Sequence, residues 1–301
     1  MKVTVIGPGA MGCLFAARLS DSGVHTTLVD HKKDRARRLV KIGITVESDS
    51  GTLTASPTVT TSIPSKQDLI ILLTKTYATQ RIELPSGTPV LTLQNGLGNV
   101  EILCGLVGSA SVLAGTTSEA STLLEEGRVR HAASGRTVLG AWTTCSTDIA
   151  ETALSRAGFN IEITETPGQA IWEKVVISAA VNTISALLDV PNGQLVEASE
   201  TRKLMRDLVV EAAKVASMEG YRFEYSLVER AEEVCRQTAT NISSMLQDVR
   251  AGRMTEIEAI SGEIMRRAEA ASLPVPRTRV IYNLIKGLEA KRVGSDSESD
   301  E

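Results

Sequence analysis

Residues Lys2–Gly12 read K-V-T-V-I-G-P-G-A-M-G, a β-branched run that stops at a glycine-rich turn and restarts as an apolar helix pattern. Gly7-Pro8-Gly9-Ala10-Met11-Gly12 supplies G-x-G-x-x-G between a predicted strand and a predicted helix over Ala10–Ser22. That context is what a dinucleotide-binding turn requires. Gly7 allows the tight turn, Gly9 lets the backbone approach a pyrophosphate, and Gly12 lets the helix pack close on the strand. The N–H groups of Ala10, Met11 and Gly12 would then face the phosphates at the positive end of the helix dipole. A second strand, His25–Asp30, ends in an acidic residue suited to the ribose hydroxyls of NAD. His31, Lys32, Lys33 and Arg35 follow at once and suit the 2′-phosphate of NADP instead. On the residues alone, NADP and NAD stay open as alternatives.

The same alternation continues outward from the turn. A polar helix pattern covers Lys32–Ile42, and Leu69–Thr74 and Pro89–Leu93 read as further strands. Thr45–Thr60, rich in Thr, Ser and Gly, reads as a hairpin insertion. Ser111–Gly140 is strand-like, with turns at Glu126-Gly127 and Ser134-Gly135, before a helix over Ser146–Ala157 and a strand over Asn160–Thr164. Strands alternating with helices indicate a parallel sheet covered on its faces. After Thr166-Pro167-Gly168 no strand is convincing. Gln169–Leu188, Ser199–Glu219, Tyr225–Val249 and Glu256–Ser272 all read as helices, and a last helix ends near Lys291. The expected fold is therefore an α/β Rossmann-type parallel-sheet domain (1–166) followed by an all-α second domain (167–293). An acidic, disordered tail is expected over 294–301.

Composition narrows the class of function. Of 301 residues 42% are apolar and 23% charged, enough for a packed core. Aromatics make up 3%, too few to furnish base-stacking platforms for single-stranded nucleic acid. The net charge of −4 matches the four acids of Ser295–Glu301, so the body is neutral and no basic excess suggests a polyphosphate partner. Four scattered cysteines (Cys13, Cys104, Cys145, Cys235) and three scattered histidines give no metal-ligand spacing, and they suit reduced thiols in a cytoplasm. The longest uncharged apolar run, Val175–Leu188, carries Ser178, Asn182, Thr183 and Ser185 and is too short for a membrane span. The expected partner is a small molecule, with no nucleic acid and no membrane, and with a homodimer left open.

The second domain opens on W-E-K-V-V-I-S-A-A-V-N, where Lys174, Ser178 and Asn182 fall four residues apart on one helix face. A lysine in such an apolar setting can protonate a carbonyl oxygen that is becoming an alkoxide. The plain alternative is a lysine that snorkels to solvent at a domain boundary. Ser243-Ser244-Met245-Leu246-Gln247-Asp248 and Thr255-Glu256-Ile257-Glu258 add polar groups that, alone, would read as caps and helix surface.

Taken together, these motifs resemble the ketopantoate reductase (2-dehydropantoate 2-reductase) family over nearly the whole chain, up to about Lys291. The glycine turn, Lys75 after L-I-I-L-L-T, Gln94-Asn95-Gly96, Gly115-Thr116-Thr117, Trp172-x-Lys174, Pro191-Asn192-Gly193, S-S-M-L-Q-D and R-x-T-E-I stand in the family's order. The resemblance implies NADPH-dependent reduction of 2-dehydropantoate to (R)-pantoate, a step of pantothenate and coenzyme A biosynthesis. It implies Lys174 as general acid and Glu256 as the carboxylate that holds substrate and lysine. Asn95, Ser178, Asn182, Asn192 and Ser244 fall at substrate-contacting positions, and Lys75 lies near the cofactor, as does Asn95. Two positions depart from the family: Ser178 replaces an asparagine, and Ala78 a glutamine. Ser178 keeps in play a relative that reduces another 2-oxo acid or an imine. A non-catalytic dinucleotide-binding sensor is the alternative of a different class, although binding alone needs neither Lys174 nor Glu256.

Overall fold

The structure is a computed structural model that describes residues 1–295; the expected acidic tail lies, from residue 296 on, outside the described residues. The chain divides into two compact units: Met1–Gln94 with Asn99–Ala170, and Asn95–Gly98 with the chain from Ile171. The expected division at residues 166 and 167 differs in two ways. The segment Asn95–Gly98 joins the second unit, a long-range assignment invisible in local pattern. The boundary also falls inside a helix, because Pro167 begins that helix rather than ending the domain before it.

In the first unit an eight-stranded sheet runs in the order β12-β11-β8-β7-β6-β1-β2-β5. These strands are β1 (Lys2–Ile6), β2 (His25–Val29), β5 (Thr58–Thr60), β6 (Leu69–Leu72), β7 (Val90–Thr92), β8 (Val112–Thr117), β11 (Arg136–Ala141) and β12 (Asn160–Ile163). All neighbours pair in parallel except β11 with β8. Strand β6 is buried at every residue, as a β-branched and leucine run covered on both faces must be. β1 pairs with β2 on one side and β6 on the other. The turn leaving its carboxyl end thus sits where strand order reverses, the usual ligand crevice of such sheets.

The insertion expected over Thr45–Thr60 divides: its end, β5, pairs with β2 in the main sheet, and its hairpin is half of a second sheet. β3 (Ile44–Ser48) and β4 (Gly51–Ala55) form the hairpin, and β3 also pairs in parallel with β10 (Arg128–Ala133), itself antiparallel to β9 (Ala120–Glu125). Helix α1 (Ala10–Asp21) contacts all four of these strands as well as β1 and β2. That explains why Cys13, Leu14, Phe15, Ala16, Ala17 and Leu19 are all buried: the helix is covered on more than one face and cannot be amphipathic. Arg18 closes this core, stacking over Phe159 and donating to the Ala157 and Gly158 carbonyls. Helices α2 (Lys33–Ile42), α3 (Asn99–Val107) and α4 (Asp148–Arg156) complete the first unit.

The second unit is helical: α5 (Pro167–Leu188), α6 (Ser199–Met218), α7 (Leu227–Gln237), α8 (Ser244–Arg250), α9 (Glu263–Ala270) and α10 (Pro276–Ser295). Helix α5 has the length and mean hydropathy (1.4) to cross a membrane, but 67% of its most apolar window is buried in the protein, as in a core helix. The expected single helix over Tyr225–Val249 is broken. Carbonyls of Ala239 and Asn241 accept from Gly193 and Asn192 N–H, at 3.0 Å each, instead of extending the helix. Ser243 then caps α8, accepting from Leu246 N–H at 3.2 Å. The expected helix over Glu256–Ser272 begins as a π-helical turn, Glu258–Gly262. Finally, α10 runs past Lys291 to Ser295 and so takes in the first residues expected of the tail.

Candidate active site

The glycine turn has the shape its sequence requires. Gly7 has φ +104°, and a Cβ there would lie 2.7 Å from Thr74 Cγ2 and 2.9 Å from the Thr74 nitrogen. A Cβ on Gly12 would lie 1.7 Å from the Gly7 carbonyl oxygen, so helix and strand can meet only over a glycine. Gly9 is different: it is exposed, and a Cβ there would meet nothing within 4 Å. It also stands at the N-cap of α1 without a side chain to cap Ala10, Met11 or Gly12. An open approach to uncapped N–H groups at a helix start fits a pyrophosphate. Behind the turn, burial pushes the Cys13 thiol up to about 12, so this cysteine is a packing residue rather than a nucleophile.

At the end of β2 the structure shows Asp30 engaged by groups of the protein itself. Its side chain has no exposed surface, and both oxygens are already used. Arg35 donates through Nε to Oδ2 (2.5 Å) and through Nη2 to Oδ1 (2.7 Å), and Lys32 N–H donates to Oδ1 (3.0 Å). Burial alone would raise this carboxyl, but these bonds and the nearby positive charges outweigh it and hold it below the usual carboxylate range. Both oxygens of this carboxylate are thus held by the protein's own donors. His31 and Lys32 remain exposed beside it. Sequence reasoning did not give Arg35 this role; the signal was an acid at a strand end followed by an arginine in the next helical turn.

Lys75 opens a short 3-10 turn, Thr76–Arg81, directly after β6. The start of that turn is fixed by Gln94, whose Nε2 donates to the Thr74 carbonyl (2.9 Å) and to Thr79 Oγ1 (2.8 Å). Ala78 lies inside the turn, its backbone N–H bonded to the Lys75 carbonyl at 3.0 Å.

In the second unit Lys174, Ser178 and Asn182 occupy one face of α5, each partly accessible between buried neighbours such as Val175, Val176, Ala179 and Val181. Desolvation lowers the Lys174 pKa to about 8, and the Glu256 carboxylate, which acts on it in the opposite sense, limits the fall. Glu256 is itself buried and accepts from Asn95 Nδ2 at 2.9 Å. Lys174, Glu256 and Asn95, far apart in sequence, thus share one electrostatic site within the same compact unit.

Asn95 reaches Glu256 because Asn95–Gly98 lies on the π-helical turn. Leu97 N–H donates to the Ala259 carbonyl at 2.8 Å. Gly96 has φ +90°, and a Cβ there would come within 2.5 Å of Ala259 Cβ and 2.6 Å of its oxygen. Gly98, at φ +84°, has the Glu263 carboxylate equally close. Sequence reading placed Gln94-Asn95-Gly96 among the motifs but gave no sign that it seats on residues 258–263. π-helical turns commonly mark functional sites, and here the turn both follows Glu256 and receives Asn95.

Asn192 is buried in the second unit. Its Nδ2 donates to Thr238 Oγ1 at 2.9 Å, while its Oδ1 has no hydrogen-bond partner among the described residues. Ser185 on α5 donates to Ser243 Oγ at 3.1 Å, which brings the start of α8 to the end of α5. Ser244, next along, is exposed in the first turn of α8. No hydrogen bond ties Asn192 or Ser244 directly to Lys174 among the described residues. Among the described residues there is also no group of three or more His, Cys, Asp or Glu able to hold a metal ion.

Comparison with known proteins bears on both units. The family profile described as Ketopantoate reductase PanE/ApbA matches residues 3–144, and its C-terminal counterpart, Ketopantoate reductase PanE/ApbA C terminal, matches residues 168–289. A 2-dehydropantoate 2-reductase of Halobacterium salinarum is 35% identical, with 95% of this chain and 98% of the relative covered. One from Pyrococcus horikoshii is 33% identical over 98% of this chain and all of the relative. Among solved structures, a PanE/ApbA family ketopantoate reductase from Ralstonia eutropha superposes with TM-score 0.88 at 26% identity, covering 97% of this chain and 99% of its own. A D-mandelate dehydrogenase solved with NADH and anilino(oxo)acetate superposes with TM-score 0.90 at 25% identity over the same shares.

Proposed function

This chain belongs to the ketopantoate reductase family, and from that we propose that it reduces 2-dehydropantoate to (R)-pantoate, with NADPH preferred and NADH tolerated. The observation that carries the reading is the Lys174–Glu256–Asn95 constellation, built within one unit around a lysine whose pKa is drawn down to about 8. A sensor that only bound a dinucleotide would have no use for a desolvated lysine beside a buried carboxylate.

The glycine turn would hold the pyrophosphate through the N–H groups of Ala10, Met11 and Gly12, with Gly7 and Gly9 shaping its approach; Lys75 and Asn95 complete the proposed cofactor contacts. His31 and Lys32, exposed at the end of β2, would meet the 2′-phosphate. When bound, the nicotinamide supplies a hydride to the C2 carbonyl carbon. Lys174 then donates a proton to the oxygen as negative charge grows on it, a task for which a pKa near neutrality suits it. Glu256 keeps the ammonium charged and in place, and it offers an acceptor to a substrate hydroxyl. Asn95, Ser178, Asn182, Asn192 and Ser244 would orient the substrate. The orphaned Asn192 Oδ1 supports this, because a buried amide oxygen without a partner is costly unless a ligand fills the gap. Ser178 is shorter than asparagine, so its contact would run through a water.

The second reading, reduction of another 2-oxo acid, is favoured by Ser178 and by the likeness to D-mandelate dehydrogenase. The deciding experiment follows NADPH oxidation by absorbance with 2-dehydropantoate and with an aromatic 2-oxo acid. Turnover with 2-dehydropantoate far above that with the aromatic acid supports the proposal, and the reverse order replaces it with the second reading. Cysteines that are all unpaired support the accompanying proposal of a cytoplasmic enzyme.

A further inference from the structure

The Asp30–Arg35 pair is left over once the pyrophosphate turn and the reducing site have been assigned, and it lies where the adenosine ribose of a dinucleotide would end. Resting on the dinucleotide reading above, we propose that Arg35, locked by Asp30, is the residue that sets the choice between NADP and NAD, and that Asp30 is its anchor rather than a ribose ligand.

An acid at this position ordinarily selects NAD, because a carboxylate accepts from both ribose hydroxyls and repels a 2′-phosphate. Here the carboxylate is wholly buried, and Arg35 covers it with two bonds from one edge of its guanidinium. A paired, hydrogen-bonded charge is one that stays put; its partner is oriented by the same bonds. Arg35 keeps a quarter of its side-chain surface, and its Nη1 makes no hydrogen bond among the described residues. The pair is neutral in sum, so the local charge comes from the exposed Lys32 ammonium and, when protonated, His31. Arg35 thus does two things for a 2′-phosphate: it cancels the acid that would repel it, and it presents a fixed N–H fork of the geometry phosphate accepts. Removing Arg35 alone would uncover a carboxylate ready to accept from ribose hydroxyls, and the preference would reverse.

Calorimetric titration of the unliganded protein with NADP⁺ and with NAD⁺ tests this by affinity, without turnover. Arg35→Ala should weaken NADP⁺ roughly 10- to 100-fold, the reach of one charge-assisted hydrogen bond, while NAD⁺ binding holds or tightens. Because Arg35→Ala leaves an unpaired buried charge that destabilises the segment, Asp30→Asn/Arg35→Ala serves as the second variant. With neither charge present but His31 and Lys32 retained, the preference for NADP⁺ should shrink from that of the unaltered protein without reversing. Equal weakening of both nucleotides by Arg35→Ala, or an unchanged NADP⁺ to NAD⁺ ratio in the double variant, overturns the proposal. If the unaltered protein binds neither nucleotide, it is the dinucleotide reading itself that fails.

Discussion

Lys174 must carry a proton to act as the acid, and its pKa of about 8, against 10.5 for a free lysine, sets the pH range in which it does. For reduction, kcat/KM is expected to be level at lower pH and to fall as pH rises through about 8. Glu256 raises the Lys174 value, so Glu256→Gln should move that falling limb to lower pH as well as raise the KM for 2-dehydropantoate. A limb that stays in place in the variant would separate Glu256 from Lys174. Lys174→Ala should lower kcat by roughly 10²–10⁴-fold and abolish the limb, with NADP⁺ affinity measured by titration unchanged. The same shift has a stability consequence. The cost of burying the ammonium is present in full below pH 8 and is relieved as pH rises toward the free-lysine value, where folded and unfolded chains are both neutral.

Among the elements, two glycine segments make contrasting predictions. At Gly9 a side chain meets open space, so Gly9→Asp should fold normally, with an unchanged melting temperature. It should nonetheless lose NADP⁺ binding in a fluorescence titration, because a carboxylate would occupy the pyrophosphate's approach. At Gly96 the backbone lies at φ +90° and a Cβ would run into Ala259. Gly96→Ala should therefore lift Asn95–Gly98 from the π-helical turn and cost about 1–3 kcal/mol in denaturant unfolding. It should raise KM for the 2-oxo acid, since Asn95 would leave Glu256. Normal stability and KM in this variant would show that the seat on Ala259 does not position the site. Neither prediction could be drawn from the G-x-G-x-x-G or Q-N-G letters alone. Both depend on what stands opposite the glycine.

For the whole molecule, the separation into two units predicts separable damage. Buried Glu211 on α6 accepts from Arg277 N–H (3.1 Å), Thr278 N–H (2.8 Å) and Thr278 Oγ1 (2.8 Å), so it caps α10 from another helix. Glu211→Ala strands these donors and should cost about 2–3 kcal/mol by denaturant titration. NADP⁺ affinity at a temperature where the variant is folded should stay the same, because the glycine turn belongs to the other unit. A parallel loss of NADP⁺ affinity would show the two units to be coupled. The strand–turn–helix at the N-terminus, the change from α/β to helical pattern and the polar face of α5 were legible in the sequence, because each is encoded by local chemistry: β-branched runs, glycines at fixed spacing, and residues four apart on a helix; helix α3 (Asn99–Val107) was not. What the letters left open are the pairings between distant segments. The hairpin at 44–55 and strands β9 and β10 join into one sheet over α1; Ala239 and Asn241 break a helix to bind Asn192 and Gly193; Asn95 crosses to Glu256; and Arg35 takes the carboxylate of Asp30. Each of these depends on which buried polar group finds which partner once the chain has closed, and that choice is made by packing and desolvation in the folded state, where no local pattern records it.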